Sequence, residues 1–350
     1  MEDIYADQER LRGFCQAILG ATGADAPSAV AAARAMLHAS SLGVDSHGVR
    51  LLPHYDKVFR GGRLNKAPNM KFARTRAGSG LLDADNAHGA LAAYAAADHA
   101  CNLAREAGIG AVGISRTSHC GPAGAYALAI AEAGMIGIVM CHSDSFVRLH
   151  NGAERFHGTN PIAVAVPTQG SNPWLLDMAT SAVPYNRVQL YKSLGRELPA
   201  DAASDHNGLD TNDANAVEML APLGGKFGFK GAGLAGMVEI FSGLLTGMKL
   251  SPEILPMGGP DITTPRDMGA FVICIDPDGL VGRSLLLAGM DRYLTALRES
   301  TSREGTTVMA PGDREWAEAT RRSKIGVPLD PETVAEFRRL SQGAKIAAPF

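Results

Sequence analysis

Cysteine is scarce in this chain. Its five cysteines (Cys15, Cys101, Cys120, Cys141 and Cys274) are odd in number and show no CxxC spacing. That leaves no basis for a disulfide framework or a zinc ribbon, and a reducing cytoplasm is the expected setting. A basic excess is missing as well. Lys+Arg 33 against Asp+Glu 36 gives a net charge of −3, so nothing marks the chain as a nucleic-acid binder. Long hydrophobic runs are absent: the apolar stretch at 136–141, IGIVMC, is far short of the ~20 residues a membrane span needs. The opening MEDIYADQER is acidic and polar, unlike a signal peptide. What is present in quantity is apolar material, 46% of 350 residues, enough for one large domain or two to three small ones. Against that plain background stand 40 glycines and 10 histidines.

The first 43 residues read as helix, with Ser28 as a cap for the segment AVAAARAMLHASSLG and Gly43 as its stop. Residues 88–107 form an Ala-rich helical stretch after a short strand near Leu81 and Leu82. Strand-like runs follow at 110–115, 136–141, 162–167, 174–177 and 269–275, with a helix between the first two. A strong helix is expected from Leu234 to Met248, and the charged last ~35 residues return to helix. The alternation predicts an α/β fold. The expected division is a terminal helical layer from residues 1–70 and 320–350 around a sheet core at 71–319, with an irregular, Gly/Asp/Asn/Pro-rich excursion at 195–230.

Two stretches spell GxGxxG. In Gly108-x-Gly110-x-x-Gly113 the order is helix then strand, the reverse of a dinucleotide loop, so a tight helix-to-strand turn is the better reading. Gly231-x-Gly233-x-x-Gly236 does open a helix, with Lys230 at its mouth. Anion binding and close helix packing both account for it, and only the first needs the lysine.

The histidines show no HxxxH or HExxH pattern and no His/Cys cluster, so no metal site is expected. Two lie in polar, glycine-lined segments: Ser46-His47-Gly48, after a helix end, and Ser118-His119-Cys120-Gly121, between strand 110–115 and the next helix. A side chain at such a strand end is well placed to meet a ligand, and His119 has the pKa range of a general acid–base. A helix-capping loop histidine is the plainer alternative. A serine hydrolase lacks its G-x-S-x-G elbow here.

Taken in order, Asp45-Ser46-His47-Gly48-Val49, Val112-Gly113-Ile114-Ser115 leading into Ser118-His119, Gly158-Thr159-Asn160-Pro161, Leu176-Asp177-Met178-Ala179-Thr180-Ser181 and Phe229-Lys230-Gly231 resemble the malate/L-lactate dehydrogenase family of the non-Rossmann type. This family includes ureidoglycolate, sulfolactate and diketogulonate dehydrogenases and a cyclic-imine reductase. The likeness covers nearly the whole chain, and Cys141-His142-Ser143-Asp144 looks most like the ureidoglycolate branch.

The resemblance implies a mixed-sheet NAD(P)-binding core, a homodimer, and interconversion of a small 2-hydroxy acid and its 2-oxo acid using NAD or NADP. Reduction of a cyclic imino acid, or non-catalytic binding of a small molecule, are its alternatives. It implies His119 as proton donor and acceptor, with Ser46 and His47 at the substrate or supporting the centre. Ser143, Asp177, Met178, Ala179, Thr180, Lys230, Gly231 and the turn Pro311-Gly312-Asp313 would lie along the cofactor. Many relatives carry a substrate-gripping arginine four residues after the SHG histidine, where this chain has Leu51. Either Arg50, with His54 nearby, takes that role, or the acid group is held differently. The stretches 183–187 and 209–213 also depart from the family pattern, which leaves NAD against NADP and the substrate open.

Overall fold

The computed structural model describes residues 4–170, 172–193 and 195–350. The chain begins with β1 (Ile4–Ala6), α1 (Gln8–Ala21) and α2 (Ala26–Ser41), then passes through two short 3-10 turns into α3 (Leu52–Gly61). The hairpin β2 (Lys71–Arg76) and β3 (Ser79–Asp83) precedes α4 (Gly89–Ala107), β4 (Ile109–Thr117), α5 (Gly124–Glu132) and β5 (Ile136–Cys141). Next come β6 (Val147–Arg148), β7 (Arg155–His157), β8 (Ile162–Val166), β9 (Trp174–Met178), α6 (Tyr185–Ser193), β10 (Ala203–Ser204) and β11 (Met219–Leu220). The chain closes with α7 (Phe229–Ser242), β12 (Met268–Ile275), α8 (Arg283–Arg298), α9 (Asp313–Ile325), β13 (Val327–Leu329) and α10 (Pro331–Ala344).

The main sheet has seven strands in the order β2-β3-β4-β12-β5-β8-β9. Within it β3 and β4 run parallel and every other neighbouring pair is antiparallel. This is a mixed α/β fold and not the parallel sheet of a doubly wound domain. The first glycine string is the helix-to-strand turn that its element order predicts. Gly108 ends α4 at φ +80°, and a Cβ on Gly110 would sit 2.0 Å from the Ala100 carbonyl, so the strand meets the helix only without a side chain there.

Both chain ends share one apolar cluster, in which Leu11, Phe14 and Phe59 pack with Val327, Phe337 and Leu340. There β1 pairs antiparallel with β13. The cap of α2 differs from expectation: Asp25, three residues before Ser28, accepts the Ser28 N–H at 3.0 Å, because the helix starts at Ala26 with Pro27 in its first turn. α7 also starts five residues before the expected Leu234 and stops at Ser242. Gly243 and Gly247, the latter at φ +70°, frame a separate 3-10 turn over Leu244–Thr246. Residues 195–230 are less irregular than their composition suggests, since β10 and β11 join β6 and β7 in a four-stranded sheet over Val147, Val188, Leu198 and Leu220.

Strand direction sets the site. With β4, β5 and β9 running one way and β8 and β12 the other, Thr117 pairs with Met268, Ala270 with Cys141, and Ile162 with both Met140 and Met178. One edge of the sheet therefore collects the segments after β4, β5 and β9 and those before β8 and β12. His119, Ser143, Asp177–Thr180, Asn160 and Arg266 all fall on it.

Candidate active site

His119 follows β4 in a loop that is stapled from below. The Ser118 hydroxyl accepts the Gly89 N–H at 2.9 Å and donates to the Ala87 carbonyl at 3.1 Å, while the Tyr126 hydroxyl donates to the Cys120 carbonyl. A Cβ on Gly89 would lie 2.5 Å from the His119 carbonyl, so the start of α4 comes this close only as glycine. The His119 ring stacks with that of His47, centroids 5.8 Å apart and 21° from parallel. Its Nδ1 lies 3.0 Å from the hydroxyl of Tyr55 on α3. His47 Nδ1 is in turn 2.9 Å from the Ser46 hydroxyl. The fold thus brings the two histidine motifs, 72 positions apart in sequence, face to face.

Burial is the main reason the His119 pKa lies well below the usual histidine value, and His47, His54, Arg266 and His88 add to it. Burial lowers His47 too. His54, on α3 beside Tyr55, is pushed down to about 4, by burial first and then by Arg266, Arg63 and Lys57, with Asp144 opposing. These shifts describe a histidine cluster in a field of positive charge.

That charge comes from two buried arginines, 2% and 3% exposed at Arg63 and Arg266. Arg63 donates to the backbone carbonyls of Pro256, Met257 and Asp261 and so shapes that loop. Arg266, two residues before β12, pairs with Asp144 and donates Nε–H to the Leu255 carbonyl at 2.8 Å. Arg266 was not marked by any local sequence signal. The structure pairs Arg50 with acids of the last helix: it is surface-exposed, meets Glu332 at 2.6 Å and reaches Asp330 at 3.8 Å at the start of α10. His54 does reach the cluster. His142, buried beside Ser143, is fixed between the Gly269 and Lys249 carbonyls at 3.1 and 2.7 Å, which makes it a fastening for this edge.

The residues expected along a cofactor form a connected set on the same edge. A cleft of about 370 Å³ is lined by Leu42, Val44, Pro122, Asp177, Pro311 and Gly312, among others, and so runs between the end of α2 and the end of β9. The Asp177 carboxylate accepts the Gly124 N–H at 2.9 Å at the start of α5. Met178 ends β9 and Ala179 follows it. Thr180 donates to the Thr159 and Asn160 carbonyls, both at 3.1 Å, and its own carbonyl accepts the Leu223 N–H at 2.9 Å. Gly231 rests against Leu223, whose carbonyl would be 2.2 Å from a Cβ there, so packing explains this glycine. Lys230 remains exposed, Nζ 5.4 Å from the Phe227 ring centre and with no carboxylate in ion-pair reach among the described residues. Asp313 closes the 310–313 turn by accepting the Ala310 N–H at 2.8 Å and pairing with Arg298 at 2.6 Å. Ser143 lies against Gly158, where a Cβ would be 2.3 Å from its Oγ and 2.7 Å from Asn160 Oδ1. That buried Oδ1 has no partner among the described residues.

An apolar-walled cleft that carries the Asp177 carboxylate and the 310–313 turn, with an exposed lysine at the start of α7 on the same edge, suits a nicotinamide dinucleotide. Among the described residues no group of three His, Cys, Asp or Glu side chains could share a metal ion, and no helix is long and apolar enough to cross a membrane.

Comparison with known proteins gives the family and the fold. The family model described as malate/L-lactate dehydrogenase matches residues 6–338. A malate dehydrogenase of Pyrococcus abyssi is 32% identical over 96% of this chain and 93% of its own length. A ureidoglycolate dehydrogenase (NAD(+)) of Escherichia coli is also 32% identical, covering 90% and 88%. The solved structure of malate dehydrogenase from Pyrococcus horikoshii superposes with a TM-score of 0.90 at 29% identity, over 99% of this chain and 97% of that one.

Proposed function

Because the chain belongs to the malate/L-lactate dehydrogenase family, and so to enzymes that act on hydroxy acids, we propose that it interconverts a small 2-hydroxy acid and its 2-oxo acid, with His119 carrying the proton and NAD or NADP as cofactor. The observation that carries this reading is the shared edge: His119, with the buried Arg266 acting on it, lies in the loop whose Pro122 lines a cleft that also reaches Asp177 and Gly312.

The nicotinamide supplies or accepts the hydride. The chain's own residues do the rest. As a 2-oxo acid is reduced, negative charge grows on the carbonyl oxygen, and a protonated His119 delivers its proton there; in the reverse direction the neutral ring takes it back. Arg266 holds the substrate carboxylate, a fork-shaped cation that is already ordered by Asp144. Leu42, Val44 and Pro122 keep the cleft walls dry. Ser143, Thr180 and the turn 310–313 line the cofactor, and Lys230 at the start of α7 meets its phosphates. The test is loss of absorbance at the reduced-nicotinamide band when pyruvate, oxaloacetate or a cyclic imine is offered with NADH or NADPH. Consumption with a 2-oxo acid supports the reading, and consumption with the imine alone overturns it.

Lys230→Ala is expected to weaken cofactor binding about tenfold, or about 1.4 kcal/mol, measured by fluorescence titration of the reduced cofactor. An unchanged dissociation constant removes the phosphate role. We also propose that two copies pair. α8 buries only Leu294 and leaves Leu285 and Tyr293 exposed, while Ile240, Leu244 and Leu245 form a second uncovered apolar face at the end of α7. Faces of this kind mark interfaces in folded proteins. Sedimentation should give twice the chain mass, and a monomer at micromolar concentration contradicts the pairing.

A further inference from the structure

Tyr55 is 2% exposed, yet its end is polar. Burying a hydroxyl costs free energy unless it is hydrogen-bonded, and the partner here is His119 Nδ1 at 3.0 Å. The ring is braced from the other side. His88 meets it edge-on, centroids 4.2 Å apart at 80°, and itself stacks with Phe59 at 6.0 Å and 11°. His88 is fixed as the cap of α4, its Nδ1 accepting the Ala90 N–H at 3.1 Å. Tyr55 is thus held by α3 below and by the α4 cap beside it, with its one polar atom aimed at the histidine assigned to proton transfer.

We propose that Tyr55 is a positioning residue for the acid–base step: its hydroxyl engages His119 Nδ1 in both charge states, so that Nε2 is always the nitrogen offered to the substrate. A neutral ring carries its proton on Nδ1, donates it to the phenol oxygen and so leaves the Nε2 lone pair free to take the substrate's proton. The imidazolium keeps that same Nδ1–H bond to the phenol oxygen and holds the transferable proton on Nε2. The inference rests on the proposed role of His119.

A phenol differs from a carboxylate in that position. A carboxylate would favour the imidazolium by its charge, and Tyr55 carries none. The groups facing His119 are Ser46 and His47 from the turn after α2, His54 and Tyr55 from α3, His88 from the start of α4, Arg266 from the segment before β12, and the adjoining Cys120 thiol. None of these is an acid, and Asp144 is turned to Arg266. The resting ring is neutral near pH 7, in agreement with its lowered pKa. It is then a ready base for oxidation of the hydroxy acid. Reduction must first draw a proton from solution. Its kcat/KM should fall about tenfold per pH unit across the neutral range, whereas that of oxidation stays flat until the pH drops to the lowered pKa.

The experiment compares wild type, Tyr55→Phe and His119→Ala in both directions from pH 5 to 9, with melting curves to confirm folding. For Tyr55→Phe we expect kcat to fall about 10- to 100-fold, with KM and cofactor affinity within about twofold. The acid limb of oxidation should move to lower pH, because the imidazolium has lost its acceptor. Unchanged kcat and pH profile in Tyr55→Phe, beside an inactive His119→Ala, overturn the role of Tyr55 and leave that of His119. An active His119→Ala overturns both. Should Tyr55→Phe not fold, nitrogen NMR of the wild-type protein decides. A neutral His119 protonated on Nδ1 at pH 7 agrees with the proposal, and an imidazolium or an Nε2–H tautomer contradicts it.

Discussion

His119→Ala is expected to lower kcat by about 10²–10⁴, the usual contribution of a positioned general acid–base, while the reduced cofactor still binds within about threefold. At 1.36 kcal/mol per factor of ten this corresponds to about 2.7–5.4 kcal/mol of transition-state stabilisation. The two parts separate because of where the residues lie. His119 reaches Tyr55 and His47, whereas the residues proposed for the cofactor lie at the end of β9 and in the 310–313 turn, with Lys230 at the start of α7. Alanine also opens space beside His47 and leaves the Tyr55 hydroxyl unpaired, so a small loss of melting temperature should accompany the kinetic effect. Stopped-flow binding and steady-state rates on the same preparation check both parts. Near-normal turnover in this variant would sink the assignment of His119.

Arg266→Met should lower kcat/KM for the 2-oxo acid about 100-fold or more, since a charged carboxylate then loses its fork-shaped partner in a buried site. It should also cost stability. Removing one member of a buried ion pair typically costs about 3–5 kcal/mol, through the charge left behind. Asp144 keeps 22% of its side chain exposed, which places the expected loss at the lower end of that range. A second substitution separates the two effects. Asp144→Asn added to Arg266→Met removes the stranded charge and should restore much of the melting temperature, yet leave kcat/KM low. Recovery of catalysis in the double variant would show that Arg266 acts only by holding the fold.

The sheet core was legible because its strands are short apolar runs set off by glycine and by helices of small residues. β5 matches the stretch 136–141, and the other four expected strands fall within one or two residues of their expected bounds. Elements whose partners lie far off in sequence were not. β1 exists because β13 pairs with it, and β10 and β11 exist because residues 147–148 supply their neighbour. α8 carries Leu285, Leu286 and Leu287 in one run, without the one-sided pattern of a packed helix, and only Leu294 is buried.

The site divided along the same line. His47 and His119 stood out because each sits in its own local polar, glycine-lined motif. Arg266 and Tyr55 have no such local signature, and they reach His119 because β12 begins, and α3 lies, next to the end of β4. Arg50 looked suitable from its distance to His47, but α10, some 280 positions on, supplies the carboxylates that take it. Spacing along the chain cannot show such competition.

The central claim is that a hydride passes from a nicotinamide to C2 of a 2-oxo acid while the proton on oxygen comes through the protein. Cofactor carrying deuterium on the transferable C4 position tests it directly. The reaction is run in ordinary water with the 2-oxo acid that turns over best, and the product is read by proton and deuterium NMR. The account predicts one deuterium at C2 of the 2-hydroxy acid, on a single face, with none retained in the cofactor at that position. Product with hydrogen from water at C2, or a 2-oxo acid left unreduced by the bound cofactor, would contradict it.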